Sequence, residues 1–423
     1  QRDIIESIGS GRDTLGLMPT GGGKSITFQV PALAKPGMCL VITPLIALMK
    51  DQVEALNSRG IKAACVHSVL SHEQTLVVLE NSVFNAYKFL YISPERLGSE
   101  LFMRKMGHMN ISFVTVDEAH CICQWGYDFR PSYLQIVQIR KVKPECPILA
   151  LTATATPDVT RDIQKHLGFK EDNVFRMSFY RPNLAYRVLH ADATILGLFQ
   201  LLKESEGSCI VYTRNRQKCE DLSKQLEEYG FSSTYYHAGL KTGEKDARQD
   251  AWLRGNYRIM VATNAFGMGI DKPNVRLVVH VDLPDSIEEY FQEAGRAGRD
   301  GKPASSVIVM DGRELELSKR RIKQHFPELD YVRKVYEDVC CFLQLAVGDG
   351  MNVTREFKME RFCVSFHYHP LMLTSALDIL DKACYIEYRD AEESTSRLRI
   401  DATRNQLFSV LDSQGEQIIL AIL

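Results

Sequence analysis

Ten short, β-rich apolar runs recur along the chain with helical stretches between them, and this rhythm constrains the fold more than any other feature. Five fall in the first half, at 13–18, 38–43, 88–93, 112–117 and 147–152. Five more fall in the second, at 208–213, 233–238, 258–263, 276–281 and 306–311. Strands this continuously apolar, alternating with helices, indicate parallel sheets covered on both faces. The stretch Tyr180–Arg181–Pro182–Asn183 reads as a joint between two such lobes. After about residue 315 the rhythm changes. Helical stretches at 329–346 and 371–383 are followed by YIEYRD and RLRID around a polar AEESTS. Helices followed by a two-stranded ribbon suggest a winged-helix-like module. The expected class is α/β, with parallel-sheet lobes over 1–180 and 181–315 and a C-terminal helical, winged-helix-like domain over 316–423.

The 423 residues are enough for about three domains, each with its own core. No apolar run approaches the roughly 20 residues needed to span a bilayer, so no membrane insertion is expected. Eleven cysteines are scattered without a CxxC pair, the pattern of reduced, mostly buried thiols in a cytosolic protein. A net charge of −2 excludes a uniformly basic nucleic-acid binder but leaves room for a local basic groove. The chain opens at Gln1 without methionine or a signal-like region, so a fragment of a longer protein is expected.

The first apolar run ends in MPTGGGKS, residues 18–25. A strict phosphate-loop pattern wants glycine where Met18 stands, yet the chemistry survives that departure. Gly21, Gly22 and Gly23 let backbone N–H groups curl around an anion without Cβ clashes, and Lys24 adds positive charge. Ser25 can ligand Mg²⁺, and the helix that follows points its positive end at the phosphates. Thr20 through Ser25 thus form a nucleotide-contacting set. The plain alternative is a glycine-rich turn with a surface lysine, which the position between strand and helix disfavours. The fourth run ends in Asp117–Glu118–Ala119–His120. There Asp117 can hold Mg²⁺ or its waters, and Glu118 can orient and deprotonate a water that attacks the γ-phosphate. Alone, these acids could simply cap a helix start.

Phosphoryl transfer also needs positive charge brought to the transition state. QEAGRAGRDG, residues 292–301, offers it: the spacing of Gln292, Arg296 and Arg299 predicts one helix face. Two glycines inside a helix each cost about 1 kcal/mol relative to alanine, so they ask for a packing or functional reason.

With these pieces the chain resembles a superfamily-two helicase core and, more narrowly, the RecQ family of DNA helicases. The resemblance covers roughly residues 1–312. It runs in order through QRDIIES, MPTGGGKS, TPLIALMKDQ, YISPERL, DEAHCICQWGYDFRPSY, LTATAT, VYTRNR, VATNAFGMGIDKPNVR and QEAGRAGRDG. The aromatic run after DEAH separates this family from other DEAH-type helicases. The resemblance implies two RecA-like lobes closing on ATP and Mg²⁺, and 3′-to-5′ movement on DNA in repair and recombination. It also implies that Gln1 reads the adenine edge and Asp271 contacts the nucleotide. By the same likeness Arg296 and Arg299 are arginine fingers, and Thr152 and Thr154 couple ATP state to DNA contact. The family usually has histidine where Tyr127 stands. Its zinc subdomain, with four cysteines after the second lobe, is not evident: Cys340, Cys341, Cys363 and Cys384 lack the spacing, and Cys363, His367 and His369 read as core and surface residues. No structural zinc is expected.

One of the chain's two tryptophans stands in the run after DEAH. Stacking a base on an aromatic ring is worth about 1–3 kcal/mol, comparable to the mean of about 1.4 kcal/mol per duplex step. Trp125, Phe129 and Arg130 can therefore replace contacts that a separating base loses. Adjacency to Glu118 makes the loop a sensor as well as a grip; burial of these aromatics in the core is the alternative. Lys50 (with Asp51 and Gln52), Arg214 and Asn215 could contact DNA phosphates without reading sequence, or could be solvated helix ends. The expected partners are single-stranded and forked duplex DNA, with protein partners through the C-terminal domain. A monomer in the cytoplasm, within a bacterial nucleoid, fits these readings. The competing readings are an RNA helicase and a nucleotide-gated DNA-binding or strand-annealing translocase with weak unwinding.

Overall fold

The computed structural model describes residues 1–388 except 20, 68–69, 124–128, 154, 267–269, 271, 347–349 and 351–353, with the backbone alone at 47 and 242. The chain divides into two compact units, Gln1–Lys319 and Arg320–Leu423.

The first unit holds two parallel sheets. Strands β1 (Thr14–Leu17), β2 (Met38–Ile42), β3 (Ala63–Val66), β4 (Phe89–Ile92), β5 (Ile111–Val116), β6 (Ile148–Thr152) and β7 (Val174–Arg176) are ordered 3-4-2-5-6-1-7. Strands β8 (Leu184–His190), β9 (Ser208–Tyr212), β10 (Ser233–Tyr236), β11 (Ile259–Ala262), β12 (Val275–His280) and β13 (Ala304–Met310) are ordered 10-11-9-12-13-8. Every pairing is parallel. All ten apolar runs became strands.

Side chains along a strand alternate between faces, and both faces here are sealed. In β2, Leu40 and Ile42 enter one buried cluster while Cys39 and Val41 enter another. In β9, Cys209 and Val211 go to one cluster and Ile210 and Tyr212 to the other. Full burial of each large apolar side chain contributes about 1.5–3 kcal/mol, which is why these runs are largely apolar.

In the second unit, helices Leu329–Phe342, Met359–Phe366 and Pro370–Lys382 pack around Val335, Phe362, Leu373 and Ala376. Residues 386–388 carry no strand, and the remainder of the expected ribbon lies outside the described residues. Cys363 belongs to this core, whereas Cys341 and Cys384 are exposed. Among the described residues no group of three or more His, Cys, Asp or Glu could hold a metal ion, and no helix is long and apolar enough to cross a membrane.

Candidate active site in the cleft between two lobes

Open parallel sheets bind ligands beyond the carboxyl ends of their strands, where the strand order reverses. The first sheet puts both candidate motifs there. The phosphate loop follows β1, and Asp117 follows β5 directly. Gly21 and Gly23 adopt φ of 77° and 78°, a left-handed backbone that favours glycine. A Cβ on Gly22 would lie 2.8 Å from the Pro19 carbonyl oxygen, and one on Gly23 would lie 2.3 Å from Gln1 Nε2. The loop is therefore bare of side chains by necessity. Helix Lys24–Ala34 starts at Gly23 with no side-chain cap, so its first N–H groups face the loop. Gln1 donates from Nε2 to the Gly22 carbonyl at 2.7 Å, which places its amide at the loop's rim.

Lys24 Nζ stands 3.6 Å from Glu118 Oε1. Glu118 has φ 48°, a strained backbone of the kind that clusters at functional sites. Burial pushes its carboxyl up, but Lys24, His120 and Arg296 outweigh burial and hold it below the ordinary range. Asp117 goes the other way. Burial and the neighbouring Glu118 charge push it up to about 6, against the pull of Lys24. A divalent cation beside Asp117 would offset that burial cost. Glu118 is thus ready to accept a proton while Asp117 favours a cation. Two further contacts support this strand end. Tyr133 donates to the Asp117 carbonyl at 2.9 Å, and His120 Nδ1 pairs with Thr152 Oγ1 at 2.8 Å. The second contact ties DEAH to LTATAT.

Tyr133 is a further residue of the site, beyond those that the motifs mark. It closes the aromatic run yet is fully buried, and its signal was the apolar spacing of the YLQIVQI that follows. Phe129 and Arg130 are half-buried, with Arg130 donating from its amide to the Cys121 carbonyl at 2.9 Å and from its guanidinium to Pro44 at 3.5 Å. Trp125, like Thr20, Thr154 and Asp271, lies outside the described residues. Lys50 is exposed on helix Ile46–Ser58. Arg214 donates to the Leu283 carbonyl at 3.0 Å and pairs with Asp285. Asn215 caps helix Arg216–Glu228, accepting from the Lys218 amide at 2.6 Å.

The single helix face expected for Gln292, Arg296 and Arg299 is corrected. The helix spans Ile287–Ala294 only, so Gln292 lies on it while both arginines sit in the turn beyond. Gly295 closes the helix and Gly298 takes φ 63°. That is the reason for the two glycines: they end a helix rather than burden one. From this turn the Arg296 charge reaches Glu118. A Cβ on Gly21 would lie 3.6 Å from Arg299 Cγ, so the second lobe's arginine closes over the first lobe's loop. Arg299 also donates to the Ile270 carbonyl at 2.7 Å, and Arg296 is almost wholly buried.

A bare glycine loop and a lysine–glutamate pair in one parallel-sheet lobe, facing arginines supplied by the second, form the arrangement expected of a nucleotide-driven helicase core. Family models agree: residues 1–163 match the DEAD/DEAH box helicase model and residues 193–301 the helicase conserved C-terminal domain. The chain belongs to the RecQ family of helicases. It is 44% identical over 312 residues to the ATP-dependent DNA helicase RecQ of Pasteurella multocida, covering 74% of this chain and 49% of that protein. It is 42% identical to the probable ATP-dependent DNA helicase RecS of Bacillus subtilis, covering 76% and 66%. The chain thus spans about half to two-thirds of the length of these curated relatives. In fold it resembles the helicase Lhr of Mycobacterium smegmatis, solved with ssDNA and AMP-PNP, at TM-score 0.58 and 21% identity over 73% of this chain and 45% of that one.

Proposed function

We propose that this chain is the motor of an ATP- and Mg²⁺-dependent DNA helicase that unwinds forked duplexes by moving 3′ to 5′ along one strand, in DNA repair and recombination. The observation that carries the reading is the meeting of Lys24 and Glu118 of one lobe with Arg296 and Arg299 of the other. Bound ATP supplies the scissile γ-phosphoryl group, with Mg²⁺ as its counter-charge. Lys24 and the glycine-lined loop hold the phosphates. Glu118 takes the proton of an attacking water, and Asp117 with Ser25 holds the metal. The two arginines bring charge to the transition state only when the lobes meet, so turnover is gated by closure.

DNA would be felt through the aromatic segment. Its flanks are fixed in the first lobe: Cys123 is buried, and Arg130 is tied back to Cys121. A base stacked on Trp125 would therefore press on a strand end only a few residues from Glu118, and Lys50, Arg214 and Asn215 would meet the backbone phosphates. Family membership supports a cytoplasmic, nucleoid-associated location, and on the same reading the chain would act as a monomer that takes protein partners through its C-terminal domain. A forked-duplex assay tests the proposal: Lys24→Ala should abolish unwinding, and unwinding that persists would sink it. ATPase stimulated by single-stranded RNA as strongly as by single-stranded DNA would turn the reading toward an RNA helicase.

A further inference from the structure

The peptide that joins the lobes does more than connect them. Arg181 donates from one guanidinium nitrogen to the Gly295 carbonyl at 2.8 Å and from another to those of Ala297 at 2.8 Å and Gly298 at 2.6 Å. Asn183 Nδ2 donates to the Gly298 carbonyl at 2.7 Å and to that of Lys302 at 2.9 Å. Three of these carbonyls belong to the turn that carries Arg296 and Arg299, and Lys302 lies just beyond it. The amide side of the same turn is held from elsewhere, with the Gly298 N–H donating to the Val275 carbonyl at 2.9 Å. A Cβ on Gly298 would lie 2.6 Å from Asn183 Nδ2, so the clamp occupies the space a side chain would need.

We infer that Arg181 and Asn183 are positioning residues that fix the arginine-bearing turn to the inter-lobe joint and thereby set the reach of Arg296 and Arg299 into the cleft. A planar guanidinium presents donors in a rigid fork, which suits several carbonyls at once; a lysine ammonium offers one point of charge. The site also lies at the carboxyl end of helix Ile287–Ala294, where a cation is favoured. Burial lowers the Arg181 pKa, as expected for a cation spent on the fold rather than on solvent. Pro182 stands between the two donors and restricts the backbone there. Neither donor needs to touch nucleotide. Their effect reaches the reaction through the two arginines, and in that respect it rests on the ATP-cleft reading above.

Hydrogen exchange and steady-state ATPase on the full chain test the clamp together. Arg181→Lys should speed amide exchange across 294–301 while leaving β1, β5 and β6 unchanged. It should lower kcat with KM for ATP unaltered, and since an angstrom of misplacement costs about 10²-fold, a loss of roughly 10- to 100-fold is expected. Because Arg181 acts through the turn that carries both arginines, adding Arg181→Lys to the Arg296→Ala/Arg299→Ala double variant should make it no slower. Asn183→Asp, which sets a carboxylate against the same carbonyls, should reproduce the exchange pattern if the first variant folds poorly. Unchanged exchange at 294–301, or rate losses that multiply in the triple variant, would overturn the clamp. Full turnover by Arg299→Ala would instead sink the ATP-cleft reading, leaving the clamp to be judged on exchange alone.

Discussion

The two lobes present their charged groups in different ways. In the first lobe, the phosphate loop and Asp117 follow β1 and β5, each hydrogen-bonded to a strand on both sides. Position there is inherited from the sheet. In the second lobe the two arginines lie past a helix end, in a turn whose carbonyls are gripped by side chains more than a hundred residues earlier in the chain. The first half of the site is thus built into the scaffold, and the second is tied on. On the proposed reading, a half tied to the joint would move with it when the lobes turn while the built half stays put, as gating by closure requires.

That contrast can be broken by experiment. The largest effect should come from Arg299→Ala, which removes charge from the tied side: about 10³-fold or more in kcat, the range of an arginine finger. Lys24→Ala on the built side should cost about 10²–10³-fold, as for one preorganised donor, with nucleotide binding weakened too. Trp125→Ala should keep basal ATPase and lose about 10-fold of its stimulation by single-stranded DNA, as expected from roughly 1–3 kcal/mol of lost stacking. Untouched stimulation would end the sensor role. Gly298→Ala and Gly11→Ala separate clash from conformation, since both glycines have positive φ but only Gly298 faces a neighbour. Gly11→Ala should lose about 1–2 kcal/mol in denaturant melts, and Gly298→Ala clearly more. Equal losses would mean the clamp tolerates a side chain.

The smallest effect concerns pH. Asp117 sits at about 6 rather than the ordinary 3.8, so the folded state binds the extra proton. The stability this gives is full below the unfolded value and lost as pH rises through the folded one. Asp117→Asn should therefore raise the thermal midpoint relative to the parent at about pH 7.5 but not at about pH 4, measured without Mg²⁺. A midpoint gain that is the same at both values would remove the burial account of that carboxylate.

Most of the fold could be read from sequence because parallel strands sealed on two faces must be apolar throughout. Strands lacking that property went unread. β8 is the outer strand of its sheet and largely exposed along LAYRVLH, and β7 is a three-residue edge strand, whereas β3 is apolar and mostly buried but only four residues long. The first lobe's half of the site was equally readable, since glycine, lysine and paired acids carry their chemistry in their identity. The second lobe's half was not. Gln292, Arg296 and Arg299 obey helical spacing, and only the glycines hinted that the helix had already ended. Tyr133 is masked for another reason: it ends a polar-looking aromatic run, and only the apolar spacing of YLQIVQI, which it opens, marks the ring that turns inward. The clamp was out of reach altogether, because nothing in RPN announces the carbonyls it will meet.

The strand order of the first sheet has a consequence for how such a chain is made. β1 leaves the ribosome well before its partners β6 and β7, with Thr14 set beside Leu149 and Leu15 beside Val174. Until those segments have been synthesised the nucleotide loop hangs from an unpaired strand, and its closure is among the last and most sequence-distant steps of lobe assembly. A nascent chain stalled before residue 148 would thus display a hydrophobic edge and no competent phosphate cradle, a natural handle for chaperones.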